Sequence, residues 1–176
     1  MLYTRKGDNG KTQIFGCDQK LSKSSVVAEA LGTLDEVNSF LGLIKSRISD
    51  KKLKEITNQI QENLFTIQAE VAGADKKITE EKILAAEKII DMIEKELPPI
   101  KTFFISGATE VSAMLDFART LARRAERRVI EVEEEKYEKI SSAALAYLNR
   151  LSSLLYALAR QSAHKSGIKE SAPDYK

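Results

Sequence analysis

Arginine is concentrated in one short segment of this sequence. Residues 118–129, ARTLARRAERRV, contain five arginines and one glutamate, in a chain whose 28 basic and 26 acidic residues leave a formal net charge of only +2. Such a segment faces water, a partner subunit, a nucleic acid or a bound anion. Guanidinium groups bind phosphate and carboxylate through paired hydrogen bonds. Spacing alone leaves two interpretations open, a solvated helix face and an anion site.

A second polar segment lies near the N-terminus. Residues 4–12, TRKGDNGKT, place two threonines, two glycines and three basic residues around one aspartate. Glycine allows backbone N–H groups to approach an anion closely, and basic side chains neutralise it. The spacing is not that of a Walker phosphate-binding loop. The segment is therefore either an ordinary turn or an anion-binding loop.

Other catalytic chemistries lack the residues they need. The only histidine is His164, near a predicted helix end, and the only cysteine is Cys17. The sequence has no Cys/His cluster typical of zinc, no Glu-x-x-His pair typical of di-iron bundles, and no serine with a suitably placed histidine. One cysteine also excludes an internal disulfide and is typical of a reducing cytoplasm.

The composition favours one helix-rich domain over residues 1–176. With 43% hydrophobic residues, 31% charged residues and three prolines, the chain is typical of a soluble helical protein. The near balance of charge argues against a dedicated nucleic-acid binder. No apolar run approaches the roughly 20 residues that span a bilayer, and residues 1–10 lack a signal-peptide core. We therefore expect a cytoplasmic protein without a membrane partner.

Apolar spacing predicts an all-α fold, a bundle of about five helices over residues 24–167. Residues 1–23 are expected to form an ordered loop or a short hairpin, and residues 168–176 a flexible, frayed tail. The first predicted helix includes Val27 to Ile48 and follows a cap at Ser24 or Ser25. The second includes Leu53 to Val71, the third runs from Thr79 to Leu97, and the fourth carries the arginine segment after Gly107. The fifth spans roughly residues 138–166, and its predicted inward residues are Leu145, Leu148, Leu151, Leu155 and Leu158.

The arginine helix has a predicted core face and a predicted polar face. Four residues advance only about 40° around a helix. The core face is expected to contain Met114, Phe117, Leu121, Ala125 and Val132. The opposite side is expected to carry Arg119, Arg123 and Arg127, with Asp116 and Glu126 close by and Arg124 and Arg128 at the flanks of the core face.

Three stretches resemble a known enzyme family when they are taken together and in order. They are YTRKGDNGKT at 3–12, EALGTLDEVNSFLG at 29–42, and ARTLARRAERR at 118–128 followed by YLNRLSSLLYALAR at 147–160. This ordered set, which spans nearly the whole chain, resembles the PduO-type ATP:cob(I)alamin adenosyltransferases. The resemblance implies a five-helix bundle that assembles as a homotrimer with active sites between subunits.

The resemblance also implies the reaction and its reactants. The 5′-deoxyadenosyl group of ATP is transferred to the cobalt of cob(I)alamin, giving adenosylcobalamin and triphosphate. Reduced cobalt is itself the nucleophile, so no protein nucleophile is required. A Mg²⁺ ion is expected to bridge the ATP phosphates, without an assigned protein ligand. Implied partners are a reductase that supplies reduced cobalamin and an enzyme that uses adenosylcobalamin.

Residue roles carry over by position in the matching stretches. The resemblance assigns ATP binding to Thr4, Arg5, Lys6, Gly7, Asp8, Thr12, Lys23, Arg123, Arg124, Glu126, Arg127 and Asn149. It assigns cobalamin binding to Asp35, Arg119 and Phe103, which with Arg123 form the implied catalytic set. Asp35 and Arg119 are expected to form a salt bridge at the subunit interface. Phe103 is expected to displace the lower axial base of cobalamin, although the adjacent Phe104 is an alternative.

Three residues depart from the family pattern. Lys6 replaces a usual threonine, Ser106 a usual proline, and Asp116 a usual aromatic residue or histidine. The last two bear on the cobalamin side. A non-catalytic carrier or regulator that binds ATP or adenosylcobalamin is the alternative function. A helical scaffold or RNA-binding bundle is a third class, which leaves the N-terminal segment unexplained.

Overall fold

A computed structural model describes residues 3, 5–14 and 20–175 of the chain. The described part is mostly helical, with five long helices and one small antiparallel hairpin. Strand β1 is Lys11–Gln13 and strand β2 is Lys20–Ser22, and Thr12 lies opposite Leu21. Of the two expectations for the N-terminal segment, the hairpin is the one observed.

The helices occupy the five predicted regions of the chain. They are α1 Val26–Arg47, α2 Lys51–Val71, α3 Glu80–Glu96, α4 Glu110–Glu134 and α5 Ser142–Lys165. The expected start of the last helix near residue 138 is wrong by four residues. Ser141 is the N-cap of α5, and its hydroxyl accepts a hydrogen bond from the Ala144 amide at 3.1 Å.

Short polar side chains fix where the other helices begin. Ser25 accepts from the Ala28 amide at 3.3 Å, so of the two candidate caps, Ser24 and Ser25, the later one is observed. Asp50 accepts from the Leu53 amide at 3.1 Å at the start of α2. Thr109 forms a reciprocal capping box at the start of α4. Each cap satisfies backbone N–H groups that have no partner inside the helix.

Helix α4 occupies the middle of the bundle. It packs against α1 on one side and α5 on the other, while α2 packs on α1 and α3 packs on α5. The predicted inward residues of α5 are confirmed for four leucines, whereas Leu145 is only partly buried. No helix in the described part of the chain is long and apolar enough to cross a membrane.

The predicted core face of α4 is partly wrong. Phe117 is 54% exposed and packs edge-on against Phe40, with ring centroids 5.2 Å apart. Ala125 and Val132 are buried as expected, and Met114 and Leu121 are only partly buried. The other buried apolar residues of α4 are Leu115, Ala118, Ala122 and Val129. Alanine allows neighbouring helices to approach closely, so the face is rotated from the one that the larger side chains indicated.

A buried polar contact joins α2 to α5. The Asn63 side-chain amide donates to the Tyr147 hydroxyl at 3.0 Å, and both residues are buried. Burial raises the pKa of Tyr147 to about 12, so its phenol is protonated at neutral pH. The contact therefore satisfies a buried amide without placing a charge in the core.

We expect Tyr147→Phe to lower the free energy of unfolding by roughly 1–3 kcal/mol, because it leaves the Asn63 amide buried without its acceptor. Urea denaturation monitored by circular dichroism measures the change. Tyr137→Phe, at a 40% exposed tyrosine, is the matched control. Equal stability of Tyr147→Phe and the wild type would contradict an energetic role for the contact.

Candidate functional site

A pocket of about 550 Å³ lies between the α3–α4 loop and helices α4 and α5. Its wall includes Phe103 from the loop, Arg119 and Arg123 from α4, and Tyr156 from α5. Three of the four residues predicted to be catalytic therefore meet at one surface, although they are as much as 20 positions apart in sequence. The pocket combines an aromatic side with a cationic side.

Arg119 is held by a carboxylate of its own helix. Its Nε donates to Asp116 Oδ1 at 2.5 Å, and its guanidinium lies 5.9 Å from the centroid of the Tyr156 ring. The Ser106 hydroxyl donates to the other oxygen of Asp116. Burial raises the pKa of the Tyr156 phenol, so this group stays protonated at neutral pH.

The two adjacent phenylalanines have different environments. Phe103 is 78% exposed at the pocket, whereas the Phe104 ring lies under the Arg160 guanidinium at 5.0 Å. A cation over an aromatic face is an attractive contact that holds the ring in place. Both rings line the pocket. Phe103 is the more exposed of the two, and Phe104 anchors the loop.

Arg160 ties the loop to the C-terminal segment. Its side chain is only 6% exposed, its Nη2 donates to the Pro98 carbonyl at 3.2 Å, and its Nε pairs with Glu170 at 3.0 Å. The Ile105 amide donates to the Ser171 carbonyl at 2.8 Å. These contacts differ from the frayed tail expected from the sequence, because a buried arginine requires an anionic partner.

The remaining predicted residues of α4 and α5 lie farther along the bundle. Glu126 accepts from the Asn149 side-chain amide at 3.0 Å, which joins two predicted ATP-binding residues. Arg124 pairs with Glu36 of α1, and Arg127 is exposed. The predicted salt bridge from Asp35 to Arg119 is not formed within one chain: Asp35 is exposed and makes no ion pair with any described residue.

A cavity of about 450 Å³ lies at the N-terminal hairpin, and lysines dominate its wall. Four predicted ATP-binding residues line it, namely Lys6, Gly7, Thr12 and Lys23. Gly7 is needed for close approach, since a Cβ atom there would lie 3.2 Å from the Lys11 carbonyl and 3.3 Å from Lys23 Nζ. Four ammonium groups around a small cavity suit a polyphosphate.

Two predicted residues of the N-terminal segment, Arg5 and Asp8, are not in the wall of this cavity. Arg5 has a φ of +58° and lies over the Tyr3 ring at 5.5 Å, and the Asp8 amide donates to the Arg5 carbonyl at 3.4 Å. These two residues shape the turn before β1. Thr4 lies outside the described residues. The two cavities share no lining residue among those described.

Sequence reasoning assigned no role to Tyr156 or Arg160. Tyr156 follows Asn149 by seven residues, which places both side chains on one helix face, and this spacing is a signal that could have found it. Arg160 is an arginine within the apolar sequence LLYALAR, where a buried charge indicates a specific partner. The Glu170 partner lies in the segment expected to be frayed and gave no signal.

We expect Glu170→Gln to lower the free energy of unfolding by about 2 kcal/mol or more, because it leaves the buried Arg160 guanidinium without an anion. Thermal and urea unfolding measure the loss. The matched control is Lys165→Gln, which removes the exposed pair of Lys165 with Asp50 and should change stability by less than about 1 kcal/mol. A Glu170→Gln effect as small as the control would contradict the structural role of the pair.

Comparisons with known proteins agree with this geometry. A family model described as cobalamin adenosyltransferase matches residues 2–162. The corrinoid adenosyltransferase PduO of Citrobacter freundii is 39% identical over 93% of this chain and 50% of its own length. The corrinoid adenosyltransferase of Bacillus subtilis is 38% identical over 95% of this chain and 89% of its own length. This chain thus spans about half the length of the PduO protein.

Solved structures show the same fold. A variant PduO-type ATP:corrinoid adenosyltransferase from Lactobacillus reuteri, with a phenylalanine replaced by histidine and complexed with cobalamin and ATP, superposes with a TM-score of 0.93 at 30% identity. The match covers 99% of this chain and 97% of that one. A variant of that enzyme with an arginine replaced by lysine, complexed with ATP, gives a TM-score of 0.91. The chain belongs to the cobalamin adenosyltransferase family.

Proposed function

We propose that this chain transfers the 5′-deoxyadenosyl group of ATP to cob(I)alamin. The observation that carries the proposal is the pocket in which the exposed Phe103 ring faces Arg119 and Arg123. An aromatic side and a cationic side suit a reaction between a corrinoid and a polyphosphate. Family membership and the cobalamin and ATP complexes of the Lactobacillus reuteri enzyme support this assignment.

The chemistry requires positioning and electrostatics rather than a protein nucleophile. The cobalt of cob(I)alamin attacks C5′ of ATP with its electron pair, and a cobalt–carbon bond forms. The C5′–oxygen bond breaks, and triphosphate leaves with that bond's electron pair. Arg123 stabilises the charge that develops on the leaving oxygens, and the cavity walls hold C5′ within reach of cobalt.

The lysine-lined cavity is proposed to hold the phosphates of ATP. Lys6, Lys11 and Lys23 lie on its wall. Because Gly7 has no side chain, its backbone lies close to Lys11 and Lys23 without a clash. The described residues contain no group of three or more histidine, cysteine, aspartate or glutamate side chains able to hold a metal ion. We propose that the implied Mg²⁺ enters with ATP as part of the substrate, held by its phosphates.

A homotrimer is proposed to complete the site. Within one chain the lysine-lined cavity and the arginine pocket share no described lining residue, so a neighbouring subunit is the natural source of the second half. Exposed apolar side chains at Leu43, Phe65 and Phe117 offer a surface for such contacts. Asp35, exposed on α1, would then reach Arg119 of a neighbour.

The proposed reaction requires two partners and a reducing setting. Cob(I)alamin forms by one-electron reduction of cob(II)alamin, so a reductase must supply it. An adenosylcobalamin-dependent enzyme must use the product. We place the reaction in the cytoplasm and treat residues 1–176 as one functional unit.

An anaerobic assay tests the proposal. Purified protein, Mg²⁺-ATP and chemically reduced cobalamin are mixed, and the absorbance of cob(I)alamin is followed as it converts to that of adenosylcobalamin. We expect conversion that requires both protein and ATP. Binding of ATP without conversion would contradict the proposed enzymatic activity and favour a non-catalytic protein that carries ATP or adenosylcobalamin.

We expect Arg123→Ala to lower kcat by roughly 10²- to 10³-fold, as for loss of one group that stabilises charge in the transition state. The fold should persist, because Arg123 is exposed on α4. Arg47→Ala, which removes an exposed pair with Glu110 outside the pocket, is the control and should retain kcat within about twofold. Near-normal turnover by Arg123→Ala would refute its role.

We expect Phe103→Ala to abolish the spectrum of base-off cob(II)alamin in the ATP complex, because the exposed ring no longer displaces the lower base. Phe104→Leu is the matched comparison, since Phe104 also lines the pocket but its ring lies under Arg160. Electron paramagnetic resonance of cob(II)alamin reports the coordination state. Loss of the signal in Phe104→Leu but not in Phe103→Ala would move the role to Phe104.

A further inference from the structure

One carboxylate joins the phenylalanine-bearing loop to the arginine helix. The Ser106 hydroxyl donates to one oxygen of Asp116, and Arg119 Nε donates to the other at 2.5 Å. Ser106 belongs to the α3–α4 loop, whereas Asp116 and Arg119 are one turn apart on α4. All three side chains line the pocket.

The surroundings of Asp116 make both contacts strong. Its side chain is 12% exposed and that of Arg119 is 30% exposed, so water competes weakly for the carboxylate. Hydrogen bonds to a charged group are stronger than neutral ones, and low local dielectric increases the difference. A buried carboxylate with both oxygens engaged is a fixed point to which the loop is attached.

The attachment lies directly before a glycine with an unusual backbone conformation. Gly107, directly after Ser106, has a φ of +109°, which only glycine adopts readily. On the other side of Phe103, the Pro98 carbonyl accepts from Arg160. Phe104 and Ile105 are also held, by Arg160 of α5 and by Ser171. The Ser106 contact is the one that ties the loop to α4, the helix that carries Arg119 and Arg123.

The same carboxylate sets the direction of Arg119. Asp116 accepts a hydrogen bond from the Nε group, and Nη1 and Nη2 donate no hydrogen bond to any residue in the described part of the chain. These two groups remain for a further anion at the pocket. The two departures from the family pattern that bear on the cobalamin side, Ser106 and Asp116, are thus partners in one interaction.

We propose that Asp116 is a positioning residue that, through Ser106 and Arg119, fixes the Phe103 loop relative to the arginine helix on the corrinoid side of the pocket. The inference rests on the proposed function for the identity of the ligand. The contact itself is a property of the free protein. Residue 106 is usually a rigid proline in the family, and here a hydrogen bond from the Ser106 side chain to α4 takes the place of that rigidity.

The test compares Ser106→Ala, Asp116→Asn and their combination with the wild type. Hydrogen exchange at residues 103–107 is measured in the free protein, and the KM values for cob(I)alamin and ATP are measured separately. We expect loop exchange in Ser106→Ala to quicken roughly tenfold, as for loss of a hydrogen bond to a charged group. The corrinoid KM should rise by a similar factor, with the ATP KM within about twofold.

Two further comparisons separate positioning from general stability. Ser106→Thr keeps the hydroxyl at an exposed position and should restore the wild-type corrinoid KM and loop exchange. Ser106→Ala should have a smaller effect in the Asp116→Asn background than in the wild type, because the two residues act through one contact. Controls outside the pocket are Ser46→Ala, whose hydroxyl donates to the Leu43 carbonyl, and Asp50→Asn at the start of α2. Both should retain wild-type loop exchange and KM values.

The possible results are decisive. Wild-type loop exchange in Ser106→Ala, or equal increases in the corrinoid and ATP KM values, would overturn the inference. If the wild type transfers no adenosyl group, the proposed function fails and loop exchange alone decides the contact. Quickened exchange in Ser106→Ala would then uphold the anchoring of the loop, and unchanged exchange would overturn it.

Discussion

The close packing of α4 between α1 and α5 is the constraint on which the rest of the structure depends. Alanines at 118, 122 and 125 form much of the buried face of that helix, and their small side chains allow the neighbouring helices to approach. The large and charged residues are consequently displaced to the remaining faces. The arginines thus project from a rigid element whose opposite side cannot move without opening the core.

The arginines on that exposed face differ in whether a carboxylate pairs with them. Arg119 pairs with Asp116 at the pocket, Arg124 with Glu36 of α1, and Arg128 with Glu131. Arg123 and Arg127 have no ion pair with a described residue, and Arg123 lies at the pocket. The dense arginine segment is therefore neither a uniform solvated face nor a uniform anion site. Local carboxylates pair with some of these arginines, and we propose that Arg123 and Arg127 bind a ligand.

The sequence allowed the helices and much of the pocket to be predicted, and physical reasons explain the rest. Amphipathic spacing located all five helices, since each needs one continuous apolar face. The position of the α4 face was mistaken at Phe117, because spacing weighs large apolar residues more than alanines that allow close packing. Arg160 and Glu170 were missed because their pairing depends on a chain reversal after α5, which no local pattern encodes. The contact of Ser106 with Asp116 was likewise not predicted. The sequence showed each residue as a separate departure from the family pattern, but not that the two side chains meet.

We propose that the site breaks the C5′–oxygen bond of ATP by placing cobalt at C5′ and stabilising triphosphate, without a protein nucleophile. The most direct test is a product balance under anaerobic conditions, with adenosylcobalamin and triphosphate quantified in the same reaction. We expect equal amounts of the two products and no diphosphate. Diphosphate or ADP formed without a cobalt–carbon bond would contradict it, because phosphate-bond cleavage would then be the chemistry of this site.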